Sequence, residues 1–146
     1  MSRAPRRLLF ACTRNAVRSP MAEALAGRRL SPGTSIDSAG VEPGLVNPFA
    51  VAVMDEISLD IRGHRARTFE ELSDCSFDLV VALSENAFRA AKLFAAGLAA
   101  TVEYWDVTDP TLNEGSREQR LAAFRSVRGD LEARIRERFP NMPRLG

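Results

Sequence analysis

The chain has little lysine, histidine or cysteine. Of its 20 basic residues, all but Lys92 are arginine. That bias runs along the whole length and reads as composition, so a functional arginine has to be found by context. One histidine, His64, and two distant cysteines, Cys12 and Cys75, do not make a typical zinc site, and no carboxylate cluster supplies the missing ligands. No metal and no cofactor are expected. The cysteines are 63 positions apart without a framework pattern, which points to free thiols in a reducing cytoplasm. A charge excess is also missing. With 20 basic residues against 19 acidic, the net charge is +1, so no nucleic-acid partner is expected. No apolar run approaches the roughly 18 residues of a membrane span. The basic lead of Arg3, Arg6 and Arg7 is followed by too short an apolar stretch for a signal peptide.

At 146 residues and 45% apolar, the chain has the length of one domain, residues 1–146, with enough apolar side chains for a core. Strands and helices alternate four times. Leu8-Leu9-Phe10-Ala11 is a buried strand. Ser19-Pro20 opens a helix that runs to about Leu30, with Ser19 as N-cap and Glu23 in the first turn. A second strand spans 34–38, and Asn47-Pro48 repeats the helix-start signal ahead of Phe49, Val53 and Ile57. Residues 77–83 are nearly all apolar and form a central strand. Ser84 and Glu85 cap a helix ending near Gly97, and a fourth strand spans 101–105. The last helix begins near Ser116 and ends near Phe139, with Leu121, Phe124, Val127, Leu131 and Ile135 on one face.

This alternation predicts a parallel sheet covered on both faces. Ligands of such sheets bind beyond the carboxyl ends of the strands. The polar loops after Ala11, Ser38 and Trp105 are therefore the expected site.

The first loop, Cys12-Thr13-Arg14-Asn15-Ala16-Val17-Arg18-Ser19, joins a strand to a helix N-terminus. Backbone N–H groups there make an anion cradle, and the positive end of the helix favours a thiolate over a thiol. Arg18 can grip two anion oxygens in a fork, and Ser19 can donate to the sulfur. Asn15 tolerates the left-handed backbone that wraps such a loop. A thiolate beneath a tetrahedral oxyanion is placed for in-line attack and a covalent thiophosphate. The leaving oxygen then needs a proton. Asp109, fixed by Pro110 in the loop after the fourth strand, is the candidate acid, and Asp106 competes with it.

Together these residues resemble the low-molecular-weight protein tyrosine phosphatase superfamily, which also contains arsenate reductases of the same fold. Residues 12–23 are similar to its signature loop, Ser38-Ala39-Gly40 to a second motif, His64 to Arg67 to a third, and Asp109-Pro110 to its acid motif. The resemblance implies a three-layer α/β/α fold with a four-stranded parallel sheet. It implies Cys12 as nucleophile, Arg18 as phosphate clamp and Asp109 as acid and then base. Residues 13–19 (Thr13, Arg14, Asn15, Ala16, Val17, Arg18, Ser19) would form the phosphate loop. Asn15, Ser19, Ser38 and His64 would support it, although His64 also reads as an ordinary exposed loop histidine. The implied activity is a phosphomonoesterase acting on a phosphorylated protein or small phosphate ester, from a monomer or weak homodimer.

Several positions depart from the family pattern. Arg14 replaces the usual glycine, and Val17 replaces a cysteine that protects many members. The aromatic residues expected after Asp-Pro and Ser-Ala-Gly are missing, leaving Trp105 and Phe49 as candidate walls. The alternatives are an arsenate reductase and a non-catalytic phosphate-binding protein. Ser84 and Ala91 stand where thioredoxin-coupled reductases carry cysteines, so a reductase would need an external small thiol, with Cys75 a remote redox candidate.

Overall fold

A computed structural model describes residues 5–73 and 75–140. Four strands, β1 (Arg7–Cys12), β2 (Ser35–Gly40), β3 (Leu79–Ala82) and β4 (Thr101–Tyr104), form one sheet in the order β2-β1-β3-β4. Every pairing is parallel. The helices are α1 (Arg18–Arg29), α2 (Pro48–Asp55), α3 (Glu85–Phe94) and α4 (Arg117–Arg138).

The alternation of β1 side chains divides the interior. Leu8, Phe10 and Cys12 join Leu79 and Val81 beneath α1, α2 and α4, while Leu9 and Ala11 join Val80 and Ala82 beneath α3. The result is a three-layer α/β/α arrangement. Both central strands are buried on two faces, which is why they read as unbroken apolar runs. Phe10 is fully buried, and burying a side chain of that size contributes about 1.5–3 kcal/mol.

The expected α4 stripe of Leu121, Phe124, Val127, Leu131 and Ile135 is the buried one, and a Ser116–Gln119 capping box starts the helix. Asn47 and Ser84 cap α2 and α3 through their side chains. The second strand is shifted to 35–40, the fourth ends one residue early at Tyr104, and two elements are shorter than expected. The third strand is only 79–82, because the Asp78 carboxylate turns away to accept from the N–H groups of Arg6 and Arg7. The third helix ends at Phe94, ahead of the positive-φ turn at Gly97.

The strand order creates the site. From β1 the chain goes to one side for β2 and returns to the other for β3 and β4. Connections therefore part above the carboxyl ends of β1 and β3 and leave a crevice there.

Candidate active site

The loop after β1 closes into a bowl because its carbonyls are taken up outside it. Cys12 and Thr13 carbonyls accept from the N–H groups of Val41 (3.2 Å) and Glu42 (3.0 Å), and the Ala16 carbonyl accepts from Asn47 (3.0 Å). Asn15 turns the chain at φ 54°. Among the described residues, the N–H groups of residues 13–18 find no protein acceptor, and α1 starts without a side-chain cap. Apart from Asn15, residues 12–18 line a cleft of about 520 Å³ whose lining also includes Asp109.

Gly40 makes this closure sterically feasible. A Cβ there would lie 2.7 Å from the Asn15 nitrogen and 2.8 Å from the Arg14 carbonyl carbon. The Ser38-Ala39-Gly40 signal thus has a packing cause: the end of β2 touches the loop backbone.

Cys12 is 2% exposed, with its sulfur 2.9 Å from Ser19 Oγ. Ser19 was expected to cap α1. Instead the cap position is Val17, and Ser19 lies inside the first turn, buried and facing the sulfur. The N–H groups of Arg18 and Ser19 are left without a protein acceptor among the described residues. Glu23 also falls outside the first turn; its carboxylate accepts from Ser38 Oγ.

Asn15 ties the bowl together. Its Nδ2 donates to Ser19 Oγ at 2.8 Å and to Ser38 Oγ at 2.9 Å. Its Oδ1 accepts from the Arg67 N–H at 2.9 Å and from His64 Nε2 at 3.0 Å. His64 Nε2 is also 3.1 Å from the Asn15 carbonyl. Two acceptors on one ring nitrogen place a proton on Nε2. Burial pushes the His64 pKa below its ordinary value; the Glu23 carboxylate and the Asn15 carbonyl oppose this, and Arg67 adds to it. His64 is half-buried and bonded to the loop, so the ordinary exposed-loop reading does not hold.

Arg18 is buried at the cleft wall. Its Nη1 donates to the carbonyls of Val107 (3.0 Å) and Leu83 (3.3 Å). Its Nη2 lies 3.9 Å from Asp109 Oδ2. Asp109 caps the turn Pro110–Leu112, with Oδ1 accepting from the N–H and hydroxyl of Thr111. Its other oxygen is left toward Arg18 and the cleft. Asp106 does not line the cleft and accepts instead from the Tyr104 hydroxyl at 3.3 Å.

Sequence reasoning missed one support of the bowl. The loop after β3 was not among the expected site loops, yet Thr13 Oγ1 donates to Asn86 Oδ1 (2.9 Å) and lies 3.2 Å from Ser84 Oγ. The available signal was position, since Ser84 and Asn86 follow the most apolar strand at its carboxyl end.

Neither proposed aromatic wall reaches the cleft. Trp105 is buried edge-on against Phe10, and Phe49 stacks on Phe124 between α2 and α4. Apolar contact at the mouth comes from Leu45, 92% exposed.

Cys75 is remote from Cys12. It packs with the cluster on the α3 face and precedes β3, whereas Cys12 ends β1 on the other face. Both cysteines are free. Among the described residues no group of three or more His, Cys, Asp or Glu side chains is arranged to hold a metal ion, and no helix is long and apolar enough to cross a membrane.

Residues 7–144 match the family model described as low molecular weight phosphotyrosine protein phosphatase. An arsenate reductase of Shouchella clausii is 34% identical over 130 residues, 89% of this chain and 92% of the relative. A solved arsenate reductase in the phosphate-binding state superposes with TM-score 0.73 at 27% identity, covering 94% of this chain and 98% of the other. The YwlE arginine phosphatase, solved as a mutant with a phosphorylated active-site serine, gives TM-score 0.71 at 26% identity, covering 96% and 99%. With the bowl, its buried cysteine and a match over nearly the whole chain in view, this chain belongs to the low-molecular-weight phosphotyrosine protein phosphatase family.

Proposed function

We propose that the chain is a cysteine-dependent phosphomonoesterase working through a thiophosphate on Cys12. The observation that carries this reading is the position of Asp109. A carboxyl oxygen stands 3.9 Å from Arg18 in the cleft that also holds the Cys12 sulfur. A bowl that only held an anion would have no use for an acid there.

The phosphoryl group enters with its equatorial oxygens on the N–H groups of residues 13–18 and on Arg18. The Cys12 thiolate attacks phosphorus as the P–O bond to the leaving group breaks, and Asp109 gives its proton to the departing oxygen. Water then attacks the thiophosphate, Asp109 takes a proton from it, and the sulfur leaves as a thiolate that Ser19 stabilises. Positioned donors matter most here, because the transition state carries its charge on the oxygens they face. Phosphate held by one relative and a phosphorylated active-site serine in another support the bowl as the oxyanion site.

A second reading, reduction of arsenate, is supported by the name of the Shouchella relative. The same bowl fits arsenate, which is also a tetrahedral oxyanion. Cys75 lies on the opposite sheet face and Ser84 and Ala91 carry no thiol, so the reducing thiol would come from a separate molecule.

The test is aryl phosphate hydrolysis at about pH 6, run beside arsenate turnover with and without glutathione or mycothiol. Hydrolysis by wild type that disappears in Cys12→Ser supports the first reading. Arsenate consumption that requires the added thiol, without hydrolysis, replaces it with the second.

A further inference from the structure

Among the described residues, Arg14 is the one charged side chain lining the cleft that the proposed reaction leaves unused. Its side chain is 69% exposed, and Nε donates to Glu42 Oε1 at 3.2 Å. Among the described residues, Nη1 and Nη2 have no acceptor, so the fork end of the group is open.

Two contacts bear on where the Arg14 side chain points. Glu42 is fixed to the loop by its own N–H, which donates to the Thr13 carbonyl at 3.0 Å. Gly44 lies near the base of the side chain, where an added Cβ would come 3.1 Å from Arg14 Cβ. Among the described residues no aromatic side chain lines the cleft, so none of them grips the leaving group by stacking.

We propose that Arg14 is a specificity-determining residue and that the preferred substrates carry a second anionic group beside the phosphoryl group. This rests on the phosphomonoesterase reading and refines it. The phosphoryl group sits in the bowl. A carboxylate or second phosphate on the leaving-group side meets the two free Nη groups of Arg14, which match a two-oxygen anion in a planar fork. Glu42 occupies Nε and sets the direction of the fork. The shared chemistry has two sources, an acidic residue flanking a phosphorylated residue or a small ester with its own carboxylate.

Steady-state kinetics on two matched pairs test this: phenyl phosphate against 3- and 4-carboxyphenyl phosphate, and a phosphotyrosine peptide with alanine flanks against one with glutamate flanks. The expected result is a preference of about fivefold in kcat/KM for the acidic member of at least one pair, carried by KM. It falls to parity in Arg14→Ala, inverts in Arg14→Glu and survives in Arg14→Lys, whatever each variant does to the absolute rate. A preference confined to esters assigns the site to small molecules, and one confined to peptides assigns it to acidic phosphoproteins. Equal treatment of both pairs by wild type, or a preference undiminished in Arg14→Ala, overturns the inference and leaves the phosphatase reading standing. Failure to hydrolyse any of the compounds overturns both.

Discussion

Ser19 Oγ lies 2.9 Å from Cys12 Sγ, and toward a thiolate, which carries no proton, it can only donate. The Arg67 N–H can only donate, so it fixes Asn15 Oδ1 on its side and turns Nδ2 toward Ser19. Ser19 therefore accepts from Asn15 and keeps its single proton available for the thiolate. Hydrogen bonds to charged groups contribute about 1.5–3 kcal/mol. Ser19→Ala is expected to lower kcat by about 10–100-fold. Stopped-flow with 4-nitrophenyl phosphate should show the loss in either the burst or the steady phase, and an unchanged kcat would remove Ser19 from the mechanism.

Asp109→Asn keeps the shape of the side chain and removes the proton. Turnover should fall by about 100-fold or more on alkyl phosphates and phenyl phosphate, whose leaving oxygens need protonation. The loss should be smaller for 4-nitrophenyl phosphate, which leaves readily as an anion. A penalty independent of the leaving group would show that Asp109 acts through Arg18, 3.9 Å away, and does not deliver the proton.

The element order and both central strands were legible because they depend on local pattern: unbroken apolar runs, capping residues at Asn47, Ser84 and Ser116, and the Asp109-Pro110 turn. The bowl itself was legible only in part. Asn15 was readable as a left-handed residue, and it takes φ 54°. Ser19 misled, because a serine before proline has the form of an N-cap and its diversion to Cys12 is a tertiary contact. The Thr13 contacts with Ser84 and Asn86 cross more than 70 positions of sequence, and they arise from the β1–β3 adjacency that only topology supplies. The aromatic residues were ambiguous for a related reason. Nothing local distinguishes a Trp105 buried on Phe10 from one lining a cleft.

His64 gives the loop a dependence on pH. The folded protein holds its pKa below the ordinary 6.5, chiefly through burial. As pH falls below that value, the unfolded chain takes up a proton that the folded ring resists. The stability contributed by the neutral ring is therefore complete above about 6.5 and is lost as pH drops toward the folded pKa. Thermal denaturation from about pH 7 to about pH 5 should show a steeper decline for wild type than for His64→Gln, which keeps an N–H for Asn15 but does not titrate. Parallel curves would mean that His64 protonation is not coupled to folding.

Gly40 tests whether the bowl is shaped by the end of β2. A methyl group at this position would sit 2.7 Å from the Asn15 nitrogen, 2.8 Å from the Arg14 carbonyl carbon and 2.8 Å from the Glu42 oxygen. All three are backbone atoms, so no side chain can swing aside, and the loop or the strand end must move. Overpacking of this kind costs about 1–3 kcal/mol. The larger consequence is functional, because the displaced atoms belong to the anion cradle: Asn15 would shift with its φ of 54°, and the N–H groups beside it would no longer converge. Gly40→Ala should lower the melting temperature and weaken inhibition by inorganic phosphate together. A variant that lost stability yet bound phosphate as wild type does would show that the bowl keeps its geometry without β2, and the packing account of Ser38-Ala39-Gly40 would fail.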